Sequence, residues 1–217
     1  MTDSVQKGFT LVELMVSMVV SLIIISGGIY VFSGVIKTSI YETKATKMTQ
    51  DLRDVMALVS ADIRRSGYQG WDAMMNPDAT NFYSEVFINS AKDCIYYAYN
   101  RNDESQTQGS HQIYGYRLAD EEIKAFSVSG ADPTALDQTC TSDFSRVTSS
   151  EELPIDSFSI DTTCTNKCDK SCKSLVLNIS ATAPVKNNIG DSVTIALSEV
   201  IEFMNNVEVT HVGTTCP

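Results

Sequence analysis

Histidine and the sequence motifs of common enzymes are nearly missing from this chain. The sequence holds 2 histidines, His111 and His211, which lie far apart. It contains no Gly-x-Ser-x-Gly, His-Glu-x-x-His, phosphate-binding loop or dinucleotide fingerprint. The oxygen-rich run Asn100–Glu104 is better explained as a solvated turn than as a calcium site. The sequence therefore predicts a protein that is not an enzyme and that binds neither a cofactor nor a metal.

Basic residues are also scarce. The chain has 16 lysines and arginines against 27 aspartates and glutamates, a net charge of −11 and a pI of about 4.5. Non-specific nucleic-acid binding depends on Lys and Arg contacts with phosphates, so this composition argues against nucleic acid as a partner. The one basic cluster, Arg64-Arg65, is explained well enough by a solvated helix C-terminus, where the helix dipole favours cations.

Proline is absent from residues 9–76, and between Phe9 and Ile36 the only charged residue is Glu13. This apolar run exceeds the roughly 20 residues that a helix needs to span a bilayer. A carboxylate at the membrane centre costs about 2.5–3.5 kcal/mol, so Glu13 should lie near a surface or have a partner. An ordinary signal peptide would have a basic leader and an Ala-x-Ala site, which this chain lacks. A plain single-pass anchor remains possible, but it gives no reason for a carboxylate near its start.

Helical periodicity continues beyond this apolar run. Apolar residues recur at alternating spacings of four and three, which predicts one apolar stripe, at Tyr41, Ala45, Met48, Leu52, Val55, Val59 and Ile63. Gly67 is the expected stop. We therefore predict one helix from about Thr10 to Ser66, roughly 85 Å long at about 1.5 Å per residue. Its first half is apolar all round and its second half is amphipathic.

Short apolar and aromatic runs alternate with polar loops after Gly70, which is typical of strands. The predicted strands are Glu85–Asn89, Cys94–Tyr99, Gln112–Leu118, Ile123–Ser127, Ile155–Asp161, Leu175–Ala181 and Val193–Val209, the last with a possible break at Asn205-Asn206. A long helix followed by a mainly antiparallel sheet is an α+β arrangement.

All six cysteines follow the apolar run: Cys94, Cys140, Cys164, Cys168, Cys172 and Cys216. An even number of cysteines in an exported domain indicates disulfides. The compact triplet at 164, 168 and 172 leaves a metal site as the alternative, which oxidising export disfavours. We expect at least two disulfides. The leading pair is Cys94–Cys140, because Cys94 lies on a predicted strand and Cys140 follows the adjoining hairpin and loop.

The run Gly8-Phe9-Thr10-Leu11-Val12-Glu13 resembles the class III signal of type IV prepilins. Three later stretches narrow the resemblance to PilW-type minor pilins. Asp62–Tyr68 is similar to the helix-end motif of that family, Asp93–Asn100 to its cysteine-containing strand, and Gly115–Leu118 to its next hairpin. The resemblance implies the pilin fold, in which the apolar half of one long helix protrudes and the other half packs on a β-sheet domain.

The resemblance also implies a division of the chain and a processing step. Residues 1–8 would form a leader peptide and 9–36 the transmembrane and filament-core half of the helix. Residues 37–67 would form the amphipathic half and 68–217 a β-rich domain with disulfides. A prepilin peptidase would cut between Gly8 and Phe9, the new Phe9 amine would be methylated, and Glu13 would serve assembly.

The function implied is that of a minor pilin that primes assembly of a type IV pilus and sits at or near the filament tip. Its partners would be other minor pilins, the major pilin, the prepilin peptidase, inner-membrane lipid and the inner-membrane pilus assembly machinery. The chain would cross the inner membrane once, with its C-terminal domain in the periplasm, and would then enter the pilus at the cell surface. The alternatives are a type II secretion pseudopilin and a tip adhesin or DNA-binding subunit for uptake.

Overall fold

A computed structural model describes residues 8–70, 83, 85–100, 112–129, 140, 144–163, 173–186, 192–205 and 207–211. These residues form one helix, α1 (Leu11–Arg64), and nine strands. The strands are β1 (Glu85–Ile88), β2 (Cys94–Ala98), β3 (Gln112–Ala119), β4 (Glu122–Ser129), β5 (Ser145–Arg146), β6 (Ile155–Thr162), β7 (Ser174–Lys186), β8 (Ser192–Glu202) and β9 (Glu208–His211).

The single long helix confirms the prediction from periodicity, with each end within two residues of its expected position. Helix α1 has 54 residues, which makes it about 80 Å long. The N–H groups of Arg65 and Ser66 donate to carbonyls three residues back, so the last turn is tight. Gly67 follows with a φ of 80°, a left-handed conformation that glycine adopts without steric cost. The chain leaves the helix axis at this point.

The strands form two sheets, whereas the sequence predicted one. The larger has the order β5-β4-β3-β2-β1-β9, and the smaller has the order β6-β7-β8. All neighbouring strands pair antiparallel except β1 and β9, which are parallel. The predicted strand Val193–Val209 is divided, because β8 ends at Glu202 in the small sheet and β9 begins at Glu208 in the large one. Strand β5 was missed, since its two residues, Ser145 and Arg146, are polar and show no apolar alternation.

The main core lies between the second half of the helix, the small sheet and one face of the large sheet. Helix α1 packs across β7 and β8. The helix contributes a buried stripe of apolar residues: Met48, Leu52, Met56, Val59 and Ile63. The large sheet contributes Val86, Ile95 and Tyr97, among others. Because this stripe begins only at Met48, the first half of the helix takes no part in the core.

A second, smaller cluster covers the opposite face of the large sheet. It is centred on Tyr96 and includes Cys94, Cys140 and Ile113. Gly115 lies opposite Tyr96 on β3, and a Cβ at Gly115 would come within 2.7 Å of that ring. A glycine is therefore needed at this position for β2 and β3 to pair with Tyr96 buried between them.

Candidate functional site

The first half of helix α1 projects away from the sheets and is exposed on every side. All residues from 8 to 40 are exposed, with Phe9 at 85 % and Tyr30 at 84 %. This part of the helix is long and apolar enough to cross a membrane, and none of its most apolar stretch is buried. An apolar surface of this size is unfavourable in water and must be covered by lipid or by other proteins. The exposed helix is therefore the first candidate functional surface.

The helix begins with a side-chain cap. Thr10 is the N-cap residue, and its hydroxyl oxygen accepts a hydrogen bond from the Glu13 backbone N–H at 3.3 Å. Glu13 thus lies in the first turn, where the helix dipole favours a negative charge. The sequence Thr10-Leu11-Val12-Glu13 has the spacing of a capping box, a signal that our sequence interpretation overlooked. Glu13 therefore has a local role in addition to any role in assembly.

Four serines of the exposed helix have their hydroxyl groups satisfied within the helix. Ser17, Ser21, Ser26 and Ser33 each donate to a backbone carbonyl three or four residues earlier, at 2.7–2.9 Å. In hydrocarbon an unpaired hydroxyl donor would be costly, and these bonds remove that cost. The segment is therefore compatible with lipid despite its serines.

Gly8 and Phe9 lie just before the helix and are both exposed. A Cβ at Gly8 would meet no atom within 4 Å, so the fold itself places no steric limit on this position. The peptide bond between the two residues is accessible to another protein. A requirement for glycine here would have to come from that other protein.

The end of the helix is held to the small sheet by Glu199 of β8. Its carboxylate accepts a hydrogen bond from the Ser60 hydroxyl at 2.8 Å and pairs with the Arg64 guanidinium at 2.7 Å. The Arg64 and Glu199 side chains are 39 % and 33 % exposed, so solvent screens the pair only in part. Arg64 was expected to be solvated, and its partner could not be found because Glu199 is distant in sequence.

A second carboxylate, Asp62, holds the helix end to the large sheet. It accepts a hydrogen bond from the Tyr116 hydroxyl of β3 at 2.9 Å and pairs with Arg65 at 3.3 Å. Burial, and then the nearby Asp62 charge, raise the pKa of Tyr116 above its usual range. Tyr116 therefore remains a neutral donor to Asp62 at physiological pH.

Backbone groups just after the helix add further links. The Asn205 side-chain amide donates to the Ser66 carbonyl at 2.9 Å, and the Asn100 N–H donates to the Tyr68 carbonyl at 2.8 Å. The stretch Asp62–Tyr68, which was singled out in the sequence, is thus the joint between the helix and both sheets. This joint lets the sheets fix the direction in which the exposed helix projects.

The comparisons with known proteins agree with this geometry. The prokaryotic N-terminal methylation motif matches residues 3–29. The sequence model of the prepilin peptidase-dependent protein B family matches residues 42–203, most of the chain. The chain belongs to the prepilin peptidase-dependent protein B family. It is thereby a member of the type IV pilin superfamily, as the sequence predicted. No curated protein matches it.

A structural neighbour shows the same fold. A type IV-like pilin from Thermus thermophilus is superimposed with a TM-score of 0.52 at 10 % sequence identity. The match covers 74 % of this chain and 97 % of the neighbour. At this identity the likeness concerns the fold alone, and it agrees with the predicted α+β pilin arrangement.

Within this member of the family, a disulfide joins Cys94 of β2 to Cys140. This is the pair that the sequence placed first. The other four cysteines, Cys164, Cys168, Cys172 and Cys216, lie outside the described residues, so a second disulfide stays a prediction. Across the part of the chain that the structure describes, no three His, Cys, Asp or Glu side chains are grouped to hold a metal ion.

Proposed function

We propose that this chain is a minor pilin of a type IV pilus, of the PilW type, that primes pilus assembly at the inner membrane and lies at or near the filament tip. The observation that carries the proposal is the continuity of helix α1. One half is bare and apolar, and the other half is fixed to two sheets by its buried stripe and by Glu199 and Asp62. Such a helix can leave a bilayer and enter a bundle of like helices without refolding the domain.

The exposed surface supports a proposed division of the chain. Residues 1–8 are a leader, and residues 9–36 are a membrane anchor before assembly and a filament core afterwards. Residues 37–67 carry the packed half of the helix, and residues 68–217 form the periplasmic domain. Once assembled, the domain would be carried with the pilus to the cell surface. In this role the protein is a structural component and a substrate of processing, not an enzyme.

The proposed processing step produces a new charge close to Glu13. Cleavage between Gly8 and Phe9 by a prepilin peptidase would free the Phe9 amine, which would then be methylated and remain basic. Glu13 is the sole carboxylate in residues 9–36. A charge held in an apolar environment is stabilised by an opposite charge nearby. We assign the Phe9 amine of an adjacent subunit as that partner.

The partners proposed are other minor pilins and the major pilin, which would bury the exposed helix within the filament. The prepilin peptidase, inner-membrane lipid and the inner-membrane assembly machinery would act before assembly. The net charge of −11 gives no support to a role in nucleic-acid binding.

Deletion of the gene and complementation in trans test the proposal. Priming predicts that the deletion strain makes few surface pili and that the wild-type gene restores them. An epitope tag on the C-terminal domain should label one end of the filaments in electron micrographs. A variant with Lys inserted between Ile24 and Ile25 provides the matched control in the complementation, because it disrupts only the exposed half of helix α1 and leaves the domain intact. This variant should not restore the pili.

Two outcomes would replace this proposal. Normal pili combined with a loss of protein secretion would favour a type II secretion pseudopilin. Normal pilus number with loss of adhesion or of DNA uptake would favour a binding subunit at the tip. Label distributed along the filament would exclude a tip location.

A further inference from the structure

Strand β8 forms one edge of the small sheet. The sheet has the order β6-β7-β8, so β8 pairs with β7 alone. Just beyond the strand ends, the Phe203 N–H donates to the Lys173 carbonyl at 2.9 Å, which continues the antiparallel β7–β8 register by one pair. Hydrogen-bonded and non-bonded pairs alternate along such a ladder. The backbone N–H and C=O groups of every second residue therefore point away from β7, at Thr194, Ala196, Ser198, Val200 and Glu202.

This outer edge of β8 is open. All five residues whose backbone groups point outward are exposed. Within the part of the chain that the structure describes, no backbone group donates to them or accepts from them. The register with β7 is regular from Thr194 to Glu202. An exposed row of this kind is a ready template for another strand.

The other sheet edges among the described strands are covered or short. The opposite edge of the small sheet, β6, is bonded to two turns of the large sheet: the Ile160 N–H donates to the Lys92 carbonyl at 2.8 Å and the Ile155 N–H to the Glu121 carbonyl at 2.9 Å. In the large sheet, edge strand β5 has 2 residues and edge strand β9 has 4. Short length and coverage both prevent edge-to-edge pairing.

Strand β8 has none of these protections. It has 11 residues, and residues 194–202 include no proline, no lysine and no bulge. On its helix side, three apolar residues pack against the main core and yet are only half-buried: Val193, Ile195 and Leu197. A strand added about 4.8 Å away would cover them. The edge thus has both the backbone groups and the apolar margin that a further strand requires.

The charges of β8 define the incoming strand further. The two charged residues of β8 are Glu199, which already pairs with Arg64, and the exposed Glu202. A basic side chain opposite Glu202 would complement that carboxylate. The incoming strand would therefore carry apolar residues on the helix side and a lysine or arginine near Glu202.

A second copy of this chain fits the edge poorly. Two identical edge strands that pair antiparallel are related by a two-fold axis perpendicular to the sheet. Helix α1 lies along the sheet, because it packs across β7 and β8. Such an axis would point the two exposed helix halves in opposite directions, so they could not enter one bilayer together. The other described edges, β5 and β9, are too short to pair along β8.

We propose that β8 receives an extended strand from a different pilin subunit of the same assembly. Main-chain hydrogen bonds would supply the affinity, and the alternate side chains would supply the specificity. The inference rests on the proposed function only in naming the partner as a pilin. The contact uses none of the exposed half of the helix, so it would act together with helix packing and not in place of it.

Site-specific photocross-linking in pilus-forming cells tests the proposal. The full chain would carry p-benzoylphenylalanine at position 198, on the open edge, or at position 157, which is exposed on β6 and serves as the matched control. We expect the probe at 198 to form an adduct with a strand of another pilin, identified by mass spectrometry of the linked peptide, and the probe at 157 to form little. No adduct at 198, an adduct only with a second copy of this chain, or equal adducts at both positions would overturn the proposal.

A proline variant tests the backbone contact itself. Ala196→Pro removes an outward N–H and keeps the β7–β8 bonds, so the full chain in detergent should unfold within about 3 °C of the wild type. It should reduce the adduct at 198 about tenfold, because a hydrogen bond is lost and the ring blocks close approach. Ala196→Ser keeps the N–H and should cross-link as the wild type does. An undiminished adduct in a folded Ala196→Pro chain would exclude strand addition.

The comparison of positions 198 and 157 needs no proline, so it decides the question even where Ala196→Pro does not fold. Failure of this proposal is distinct from failure of the proposed function. Loss of pili on gene deletion without an adduct at 198 would leave priming in place and overturn strand addition. Normal pili on deletion, with an adduct to a pilin-like subunit of a secretion system, would overturn the pilus role and support strand addition.

Discussion

Glu13 has two possible roles, and the structure allows them to be separated. Its backbone N–H makes the bond to the Thr10 cap, while its carboxylate is free to act in assembly. Because the cap uses the backbone, replacing the side chain leaves that bond in place. A loss of function on replacement would therefore point to the carboxylate.

We predict that Glu13→Ala and Glu13→Gln insert into the membrane and are processed, yet enter filaments at a strongly reduced level. The reason is that the Phe9 amine of a neighbour would lose its partner in an apolar environment. Immunoblots of membranes and of sheared pili measure the two steps separately. Glu42→Ala, an exposed carboxylate further along the same helix, is the control. Normal incorporation of both Glu13 variants would refute the pairing.

Gly8 is the second residue at which local structure and recognition can be distinguished. We predict that Gly8→Val accumulates the uncut form, with its eight-residue leader, because a peptidase that reads a tight backbone rejects a side chain. The fold does not impose this, since a Cβ at Gly8 meets nothing within 4 Å. Mass spectrometry of the membrane-bound protein measures the cut. Gly27→Val, at a helix position that is equally free of neighbours, should be processed normally. Mature mass from Gly8→Val would exclude the requirement.

The buried tyrosines make stability depend on alkaline pH. Burial raises the pKa of Tyr97 and Tyr116 in the folded protein, whereas an unfolded tyrosine ionises near pH ~10. Above that pH the unfolded state binds fewer protons, so the free energy of unfolding falls as pH rises. The contribution is fully present below about pH 10. We expect the free energy of unfolding, measured with denaturant, to fall more for the wild type than for Tyr97→Phe as the pH rises above about 10. Parallel declines would count against the buried phenols.

Among the elements, the large sheet has its own covalent link. The disulfide joins β2 to Cys140 at a sequence separation of 46, and both cysteines are buried. It lies in the smaller cluster, away from the helix. Loss of the disulfide should thus affect the large sheet without directly altering the exposed half of helix α1.

We predict that the double variant Cys94→Ala, Cys140→Ala has a free energy of unfolding about 4 kcal/mol lower than that of the wild type. This is the contribution of the entropy lost on closing a loop of this length in the unfolded chain. Denaturant unfolding of the exported domain measures the difference. Reduction of the wild type under mild conditions should give a similar loss. A change below about 1 kcal/mol would mean that packing around Tyr96 holds this part of the sheet without the bond.

At the scale of the whole molecule, the domain with its packed half of helix α1 should fold without the exposed half. Every helix residue in the main core lies at or after Met48. We predict that a chain beginning at Lys37, exported to the periplasm, folds without detergent and unfolds within about 2 °C of the full chain, since it loses no core contact. Circular dichroism melts and gel filtration measure this. Aggregation of the truncated chain, or a much lower Tm, would show that residues before 37 support the domain.

The sequence by itself determined the helix, six of the seven predicted strands in outline, the leading cysteine pair and the pilin superfamily. Periodicity is local, and an apolar run without proline has few alternatives to a helix, so Leu11–Arg64 could be predicted closely. The alternation of apolar and polar residues along β6 and β7 is equally local. The capping-box spacing of Thr10 and Glu13 is also a local pattern, so it could have been predicted from the sequence.

Only the tertiary structure decided how these elements meet. Sequence periodicity carries no information on which strand pairs with which, so the split into two sheets and the parallel β1–β9 pair were not predictable. The same holds for Glu199 with Arg64 and for Tyr116 with Asp62, whose partners lie 135 and 54 residues apart. Such long-range pairs are fixed by packing across the core, which brings the helix end against the large sheet.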